Sequence, residues 1–228
     1  MGTLYLVRHG QASFGSDNYD QLSPLGHRQC ERLGAYWAQR GQQFGLAITG
    51  TLTRQIESHA AIAKGLGLAP DDSVRSQPLR LPGLNEYDSA AVIATVHPQP
   101  LARPDTPALY RHHFGLLRQG LAAWMAGRAQ PMGMPSYADF VAGVAGALDH
   151  VRGQGQGDVL MVSSGGPIAT AVGQVLGMQP EATIELNMRI RNSAVTELVF
   201  NPKRHSLLSF NHLPHLNEAA YSDWVSYA

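Results

Sequence analysis

The chain has 228 residues with 17 basic and 17 acidic side chains, so its formal net charge is zero and no general electrostatic attraction to nucleic acid or to an anionic membrane is expected. Charged residues make up 15 % and hydrophobic ones 44 %, a balance that supplies a substantial core and excludes global disorder. At this length the default is one large domain spanning residues 1–228. The single cysteine, Cys30, allows neither an internal disulfide nor a cysteine-rich zinc site, which reads as a cytoplasmic protein. Residues 1–8 enter a strand-like stretch without a basic leader, and no segment approaches the roughly 18 apolar residues of a membrane span. Neither secretion nor insertion is expected.

Thr3 to Val7 is an apolar run with hydrophobics on both faces, as in a parallel strand covered by helices, and it stops at Arg8-His9-Gly10. Ser23-Pro24 reads as an N-cap followed by proline at the first helical position, and Cys30, Leu33 and Trp37 form the stripe of a helix that Gly41 stops. Leu46 to Thr49 predicts a second strand, and Ile56, Ala60 and Ala63 predict a helix ending near Gly65 or Gly67. Val74 to Leu79 is a weaker strand pattern, followed by a loop from Leu81 to Tyr87. Proline density rises at both ends of 98–135 around an apolar centre, Ala108 to Gly127, which predicts an inserted helical cap.

Tyr137, Phe140, Val141, Val144, Leu148 and Val151 carry a strong helical period. The glycine-rich run Gly153 to Gly157 follows a helix and precedes the strand Asp158 to Val162, so it is a connector and no nucleotide loop. That strand breaks at Ser163-Ser164-Gly165-Gly166-Pro167 into a helix with inward positions Ile168, Ala171, Val172, Val175 and Leu176. Ala194 to Phe200 and Ser206 to Phe210 predict a closing antiparallel hairpin. The sum is a three-layer α/β fold, with a mainly parallel sheet flanked by helices.

In such a sheet ligands sit beyond the carboxyl ends of the strands. Arg8-His9-Gly10, Arg54 and Ser163 to Gly166 all fall there. Two arginines and a helix N-terminus facing a histidine describe an oxyanion pocket, because guanidinium forks match phosphate and free N–H groups supplement them.

Leu6 to Ser13 (LVRHGQAS) resembles the Arg-His-Gly signature of the histidine phosphatase superfamily, the phosphoglycerate-mutase-like proteins. Leu22-Ser23-Pro24-Leu25-Gly26 is similar to the family's Leu-Thr-x-x-Gly helix start. Thr51-Leu52-Thr53-Arg54 with Ser58 resembles its Ser-x-Leu-x-Arg-x-x-x-Thr segment, and Leu84-Asn85-Glu86 its Leu-x-Glu element. Arg191-Asn192-Ser193, Phe210-Asn211 and His215-Leu216 are similar to weaker C-terminal features.

The resemblance implies a metal-independent phosphomonoester hydrolase without cofactor, acting on a small phosphorylated substrate through a phosphohistidine on His9. Arg8 and Arg54 would hold the phosphoryl oxygens, with Ser13, Ser164 and Gly165 as further phosphate ligands, and Glu86 would be general acid and base. No nucleic acid or membrane partner is implied, and a homo-oligomer is left open. One position departs: most members carry a histidine where this chain has Ser164. Losing one charge-assisted donor costs about 1.5–3 kcal/mol, roughly one to two decades in rate, so restoring histidine there is expected to raise the rate.

The alternatives are a phosphoglycerate-mutase-type phosphoryl transferase and a weak or inactive phospho-ligand-binding member. The chain has only two lysines, Lys64 and Lys203, which favours hydrolysis over retention of a phosphoryl group in a strongly cationic pocket. His112-His113 and His212-x-x-His215 lack neighbouring carboxylates at ligand spacing, so no metal is expected. Ser164 lacks the Gly-x-Ser-x-Gly elbow of a serine hydrolase. Arg80, Arg103, Arg111 and Arg118 are unranked substrate contacts.

Overall fold

The computed structural model describes residues 1–13, 20–69, 77–101, 105–154 and 157–227. Its sheet contains β1 (Gly2–Arg8), β2 (Leu46–Thr49), β3 (Leu79–Arg80), β4 (Val159–Ser163), β5 (Val195–Asn201) and β6 (Arg204–His212), in the order β3-β2-β4-β1-β5-β6. The pairs β1 with β4, β4 with β2 and β2 with β3 are parallel, while β5 is antiparallel to both of its neighbours. Five strands therefore share one direction. The helices are α1 (Pro24–Ala38), α2 (Thr53–Gly65), α3 (Ser89–Ala94), α4 (Pro107–Met125), α5 (Tyr137–Gln154), α6 (Gly165–Leu176) and α7 (Pro180–Asn187).

Strand alternation divides the interior into two cores. Leu4, Leu6, Val159 and Met161 face one side, where they pack with the apolar residues of α3 to α7. Val7, Leu160 and Val162 face the other, where Cys30, Leu33 and Trp37 of α1 and Ala61 and Ile62 of α2 cover them. These are the three layers that the strand pattern predicts. Trp37, Phe44 and Tyr5 meet edge to face at centroid distances of 5.0 to 5.7 Å beneath α1, adding about 0.5–1.5 kcal/mol per pair beyond burial.

Most predicted elements form where the periodicity places them, and the exceptions have physical reasons. Ser23 caps α1, its Oγ accepting the Gly26 N–H at 3.0 Å. Of the expected α2 stripe Ile56, Ala60 and Ala63, Ala63 is buried while Ile56 is half-buried and Ala60 exposed, and Arg54, Gln55, Ser58 and His59 are buried beside Ala61 and Ile62. Polar groups own that face because it looks toward the carboxyl ends of the strands. Leu176, inward by its period, is exposed on the last turn of α6. Of the expected strand Val74 to Leu79, residues 74–76 lie outside the described residues, and the pairing with β2 occurs at Leu79 and Arg80. Within 98–135, α4 lays Leu117, Leu121 and Trp124 into the larger core, with the Trp124 indole N–H donating to the Pro135 carbonyl at 3.2 Å.

α1 starts directly against the loop that follows β1. A Cβ on Gly10 would lie 2.4 Å from the Gly26 carbonyl oxygen, and one on Gly26 would lie 2.2 Å from that of Gln11. Gly26→Ala is therefore expected to lower stability by about 1–3 kcal/mol, a fall in Tm of roughly 3–10 °C. Gly115→Ala in α4, where nothing lies within 4 Å, should hold or raise Tm. Equal effects in thermal melts would contradict this close-packed junction.

Candidate active site

The ends of β1, β2 and β4 are level, with Arg8 opposite Ser163 and Val162 opposite Thr49, so the segments that follow them converge. His9 leaves β1 with its N–H donating to the Ser163 carbonyl at 2.9 Å, while its own carbonyl accepts from Ser193 N–H at 3.2 Å and Asn192 Nδ2 at 3.3 Å. Gly10 N–H donates to Ser58 Oγ at 3.0 Å, and that hydroxyl donates to the Arg54 carbonyl at 2.6 Å.

The imidazole is 3 % exposed. Its Nδ1 lies 2.7 Å from the Gly10 carbonyl oxygen, which can only accept, so Nδ1 carries the proton. Nε2 is then the lone-pair nitrogen, and Arg54 Nε donates to it at 3.3 Å. Burial, reinforced by the Arg8 and Arg54 cations, pushes His9 well below the ordinary histidine value, against the opposing pull of the Gly10 carbonyl. The ring is neutral near pH 7.

Arg54 lies in the first turn of α2 and pairs with Asp20, Nη1 to Oδ1 at 2.7 Å. The other Asp20 oxygen accepts the Thr53 N–H at 2.8 Å, so one carboxylate both caps the helix and aims the guanidinium. Arg8 donates through Nη1 to the carbonyls of Ile190 and Tyr227, the latter at 2.6 Å, which ties the C-terminal segment to the site.

Glu86 stands across from these groups. Both carboxyl oxygens accept the Gly166 N–H at 3.1 Å, and Oε1 also accepts its neighbour's N–H from Tyr87 at 3.2 Å. Burial raises its pKa; the Gly166 and Tyr87 N–H groups and the two arginines oppose the rise. Arg54 touches the His9 ring, and the charges of Arg54 and Arg8 lower the pKa of both His9 and Glu86.

Ser164 is fully buried at the N-cap of α6, but its side chain makes no capping bond and accepts instead from Gln55 Nε2 at 2.9 Å. A histidine at 164 would meet the same Gln55 amide that stands 2.9 Å from Ser164 Oγ. Gly165 is crowded by Asn187 Oδ1 and lies near Glu86. Ser13 is half-buried, its N–H donating to the Gln21 carbonyl at 2.8 Å.

A family profile, the histidine phosphatase superfamily (branch 1), matches residues 4–92 and 111–213. The chain belongs to the histidine phosphatase superfamily. A 2,3-bisphosphoglycerate-dependent phosphoglycerate mutase from Allorhizobium ampelinum is 32 % identical over 102 residues, 40 % of this chain and 48 % of that protein. The chain spans about half the length of the curated relatives it matches. Among solved structures, a phosphoserine phosphatase mutant from Entamoeba histolytica in complex with phosphoserine aligns with a TM-score of 0.65 and 19 % identity, covering 95 % of this chain and 100 % of that one. A mycobacterial glucosyl-3-phosphoglycerate phosphatase aligns with a TM-score of 0.62 and 19 % identity, covering 92 % and 98 %. These structural likenesses are of fold.

The structure adds Asp20, Gln55 and Asn187 to the site of this superfamily member. Asn187 Nδ2 donates to the Tyr87 hydroxyl at 2.7 Å, next to the acid loop. A polar residue at the inward position three, four and seven before Ser58, His59 and Ile62 marks Gln55. Asp20 and Asn187 carry no comparable signal.

Among the described residues no group of three or more His, Cys, Asp or Glu could hold a metal ion. His212 faces Glu197 at 3.5 Å, whereas His215 is buried with Nε2 3.0 Å from Ser193 Oγ. Of the candidate arginines, Arg118 pairs with Glu185 of α7, Arg80 and Arg111 are exposed, and Arg103 lies outside the described residues. No helix among the described residues is long and apolar enough to cross a membrane.

His215 stands directly behind the His9 backbone through Ser193. Burial, then Arg32 and His212, lower its pKa to about 3 from 6.5. The unfolded chain therefore binds a proton that the folded one refuses, and its contribution to stability is present above pH 6.5 and lost as pH falls toward about 3. Denaturant titrations should show this loss, at a slope of up to about 1.4 kcal/mol per pH unit from this residue. His215→Gln should have a shallower slope over that window, and an unchanged slope would contradict the assignment.

Proposed function

We propose that the protein hydrolyses a small phosphomonoester through a phosphohistidine on His9. One observation carries this reading: the Nδ1 proton of His9 is held by the Gly10 carbonyl, so Nε2 presents its lone pair beside Arg54. Nε2 attacks phosphorus, the P–O ester bond breaks, and the leaving oxygen takes the Glu86 proton. Glu86, now a carboxylate, then accepts a proton from water as that water attacks the phosphohistidine; the P–N bond breaks, and phosphate departs.

Arg8 and Arg54 hold the non-bridging oxygens through the reaction, with Ser164 and the N–H groups opening α6 as further ligands. Ser13 and Gly165 complete the proposed phosphate set. Two guanidiniums and a carboxylic acid supply the charge compensation and the proton, so the scheme calls for no cofactor or metal. Burial favours both protonation states, since it pushes His9 toward its neutral base and Glu86 toward its neutral acid.

Hydrolysis is favoured over mutase chemistry because the lysines are elsewhere: Lys64 pairs with Glu31 at 2.9 Å on the outer side of α1 and α2, and Lys203 lies in the β5–β6 turn. The cations acting on His9 and Glu86 are Arg8 and Arg54. We assign residues 1–228 to one unit of this kind, with 98–135 as the cap that meets the organic part of the substrate. Action in the cytoplasm on a small phosphorylated molecule, without nucleic acid, belongs to the same proposal.

Purified protein should release phosphate from a chromogenic phosphomonoester in the presence of chelator, and rapid quenching in alkaline denaturant, where the P–N bond survives, should trap phosphate on His9. His9→Ala should remove at least about a thousandfold of the activity, and Arg54→Ala about 100- to 1000-fold. Phosphate binding without turnover would instead identify a non-catalytic phospho-ligand binder, and transfer between positions of a bisphosphate with little phosphate release would identify a mutase.

The pH profile follows from the two shifts. Activity needs His9 unprotonated and Glu86 protonated at the first step. The acidic limb of kcat/KM should therefore lie well below 6.5, and the basic limb should follow the raised Glu86 value as its proton is lost. Glu86→Gln should lower turnover about 100- to 10,000-fold and abolish the basic limb; a basic limb that survives would contradict the role of Glu86.

A further inference from the structure

Gln55 is fully buried one residue after Arg54, and every polar atom of its side chain has an assigned partner. Nε2 donates to the Leu84 carbonyl at 2.8 Å and to Ser164 Oγ at 2.9 Å, and Oε1 accepts the Leu52 N–H at 3.4 Å. A carbonyl can only accept and a backbone N–H can only donate, so the amide has one possible orientation and both its protons are used. Ser164 Oγ is thereby an acceptor from Gln55. Among the described residues the hydroxyl is found only as an acceptor, from Gln55, and its own proton is given to no acceptor there. The residue follows Ser163, whose carbonyl receives the His9 N–H, and stands two residues before Gly166, whose N–H holds Glu86. A buried hydroxyl proton is thus left over on the short segment that holds His9 at one end and Glu86 at the other.

We propose that Gln55 is a positioning residue for phosphoryl transfer, fixing the Ser164 hydroxyl as a donor to a phosphoryl oxygen and fixing the start of the acid loop. This inference rests on the phosphohydrolase reading above. Accepting from the amide polarises the Ser164 O–H, so its donation to an anionic oxygen strengthens. The second Gln55 proton acts with Ser163 Oγ, which also donates to the Leu84 carbonyl at 2.8 Å; the two clamp the main chain two residues before Glu86.

A double-mutant cycle tests the coupling. Gln55→Leu and Ser164→Ala are each expected to lower kcat about 10- to 100-fold, the range for losing a hydrogen bond to a charged group, with KM changed less than about threefold. In the Ser164→Ala background, the further loss from Gln55→Leu should shrink to the part carried by the Leu84 clamp, so the two effects are strongly less than multiplicative. Gln55→Glu, nearly isosteric but an acceptor when ionised, should be as impaired as Gln55→Leu at neutral pH and regain activity as the pH falls and the carboxyl becomes a donor.

Multiplicative effects would overturn the proposal, as would a Gln55→Leu variant whose only change is a lower Tm. The same cycle read by calorimetric binding of orthovanadate keeps the inference separate from the hydrolase reading. If the unmodified protein fails to turn over but the cycle shows coupled loss of vanadate binding, the hydrolase reading fails and the Gln55–Ser164 device stands. If the unmodified protein turns over and the variants are uncoupled, the hydrolase reading stands and the device fails.

Discussion

The bond on which the site depends is the one from the His9 ring to the carbonyl of the next residue, 2.7 Å from Nδ1 to the Gly10 oxygen. It fixes which nitrogen bears the proton, and hence which one can act. For that bond to hold, the Gly10 carbonyl must not move, and the surrounding chain sees to this. The His9 N–H, the His9 carbonyl and the Gly10 N–H are each committed to a different segment, namely β4, residues 192–193 and α2. Gly10 itself is wedged against Gly26. The imidazole is anchored from four directions before any substrate arrives, which is the preorganisation that phosphoryl transfer uses.

Burial has opposite consequences for the two central titrating groups, and both serve the proposed chemistry. It drives His9 toward its neutral base and Glu86 toward its neutral acid. The arginines reinforce the first effect and oppose the second, so desolvation is the dominant influence on Glu86. The same economy explains α2, whose inward face carries Arg54, Gln55, Ser58 and His59 where an ordinary helix would place aliphatics. Those positions contribute less hydrophobic stabilisation and more hydrogen-bonded rigidity. The helix is anchored at its other end by Ala61 and Ile62 in the core beneath α1.

Much of the architecture is legible from the chain because apolar periods and caps act locally. Ser23-Pro24, the Cys30-Leu33-Trp37 stripe and the hairpin around Asn201 all reflect nearest-neighbour physics. Arg8, His9, Arg54 and Glu86 are legible through a resemblance whose spacing matches strand ends. What escapes a sequence reading depends on contacts between distant segments: Asp20 reaches α2, Asn187 reaches Tyr87, and the C-terminal carbonyl of Tyr227 reaches Arg8. The rotation of the α2 stripe is hidden because periodicity counts apolar residues, whereas a face that lines a polar site is recognised by its burial. Ser164 reads as a deficit when taken singly, and its meaning changes once Gln55 stands beside it.

The most direct test of the central claim is the protonation state of one ring, followed by ¹⁵N-detected proton correlation spectra of the imidazoles, with His9→Gln used for assignment. The account predicts that His9 is neutral at pH 6.5, with the proton on Nδ1 and Nε2 bearing the unprotonated nitrogen shift, and that it stays so well into the acid range. A His9 that is doubly protonated at pH 6.5, or that carries its single proton on Nε2, would contradict it.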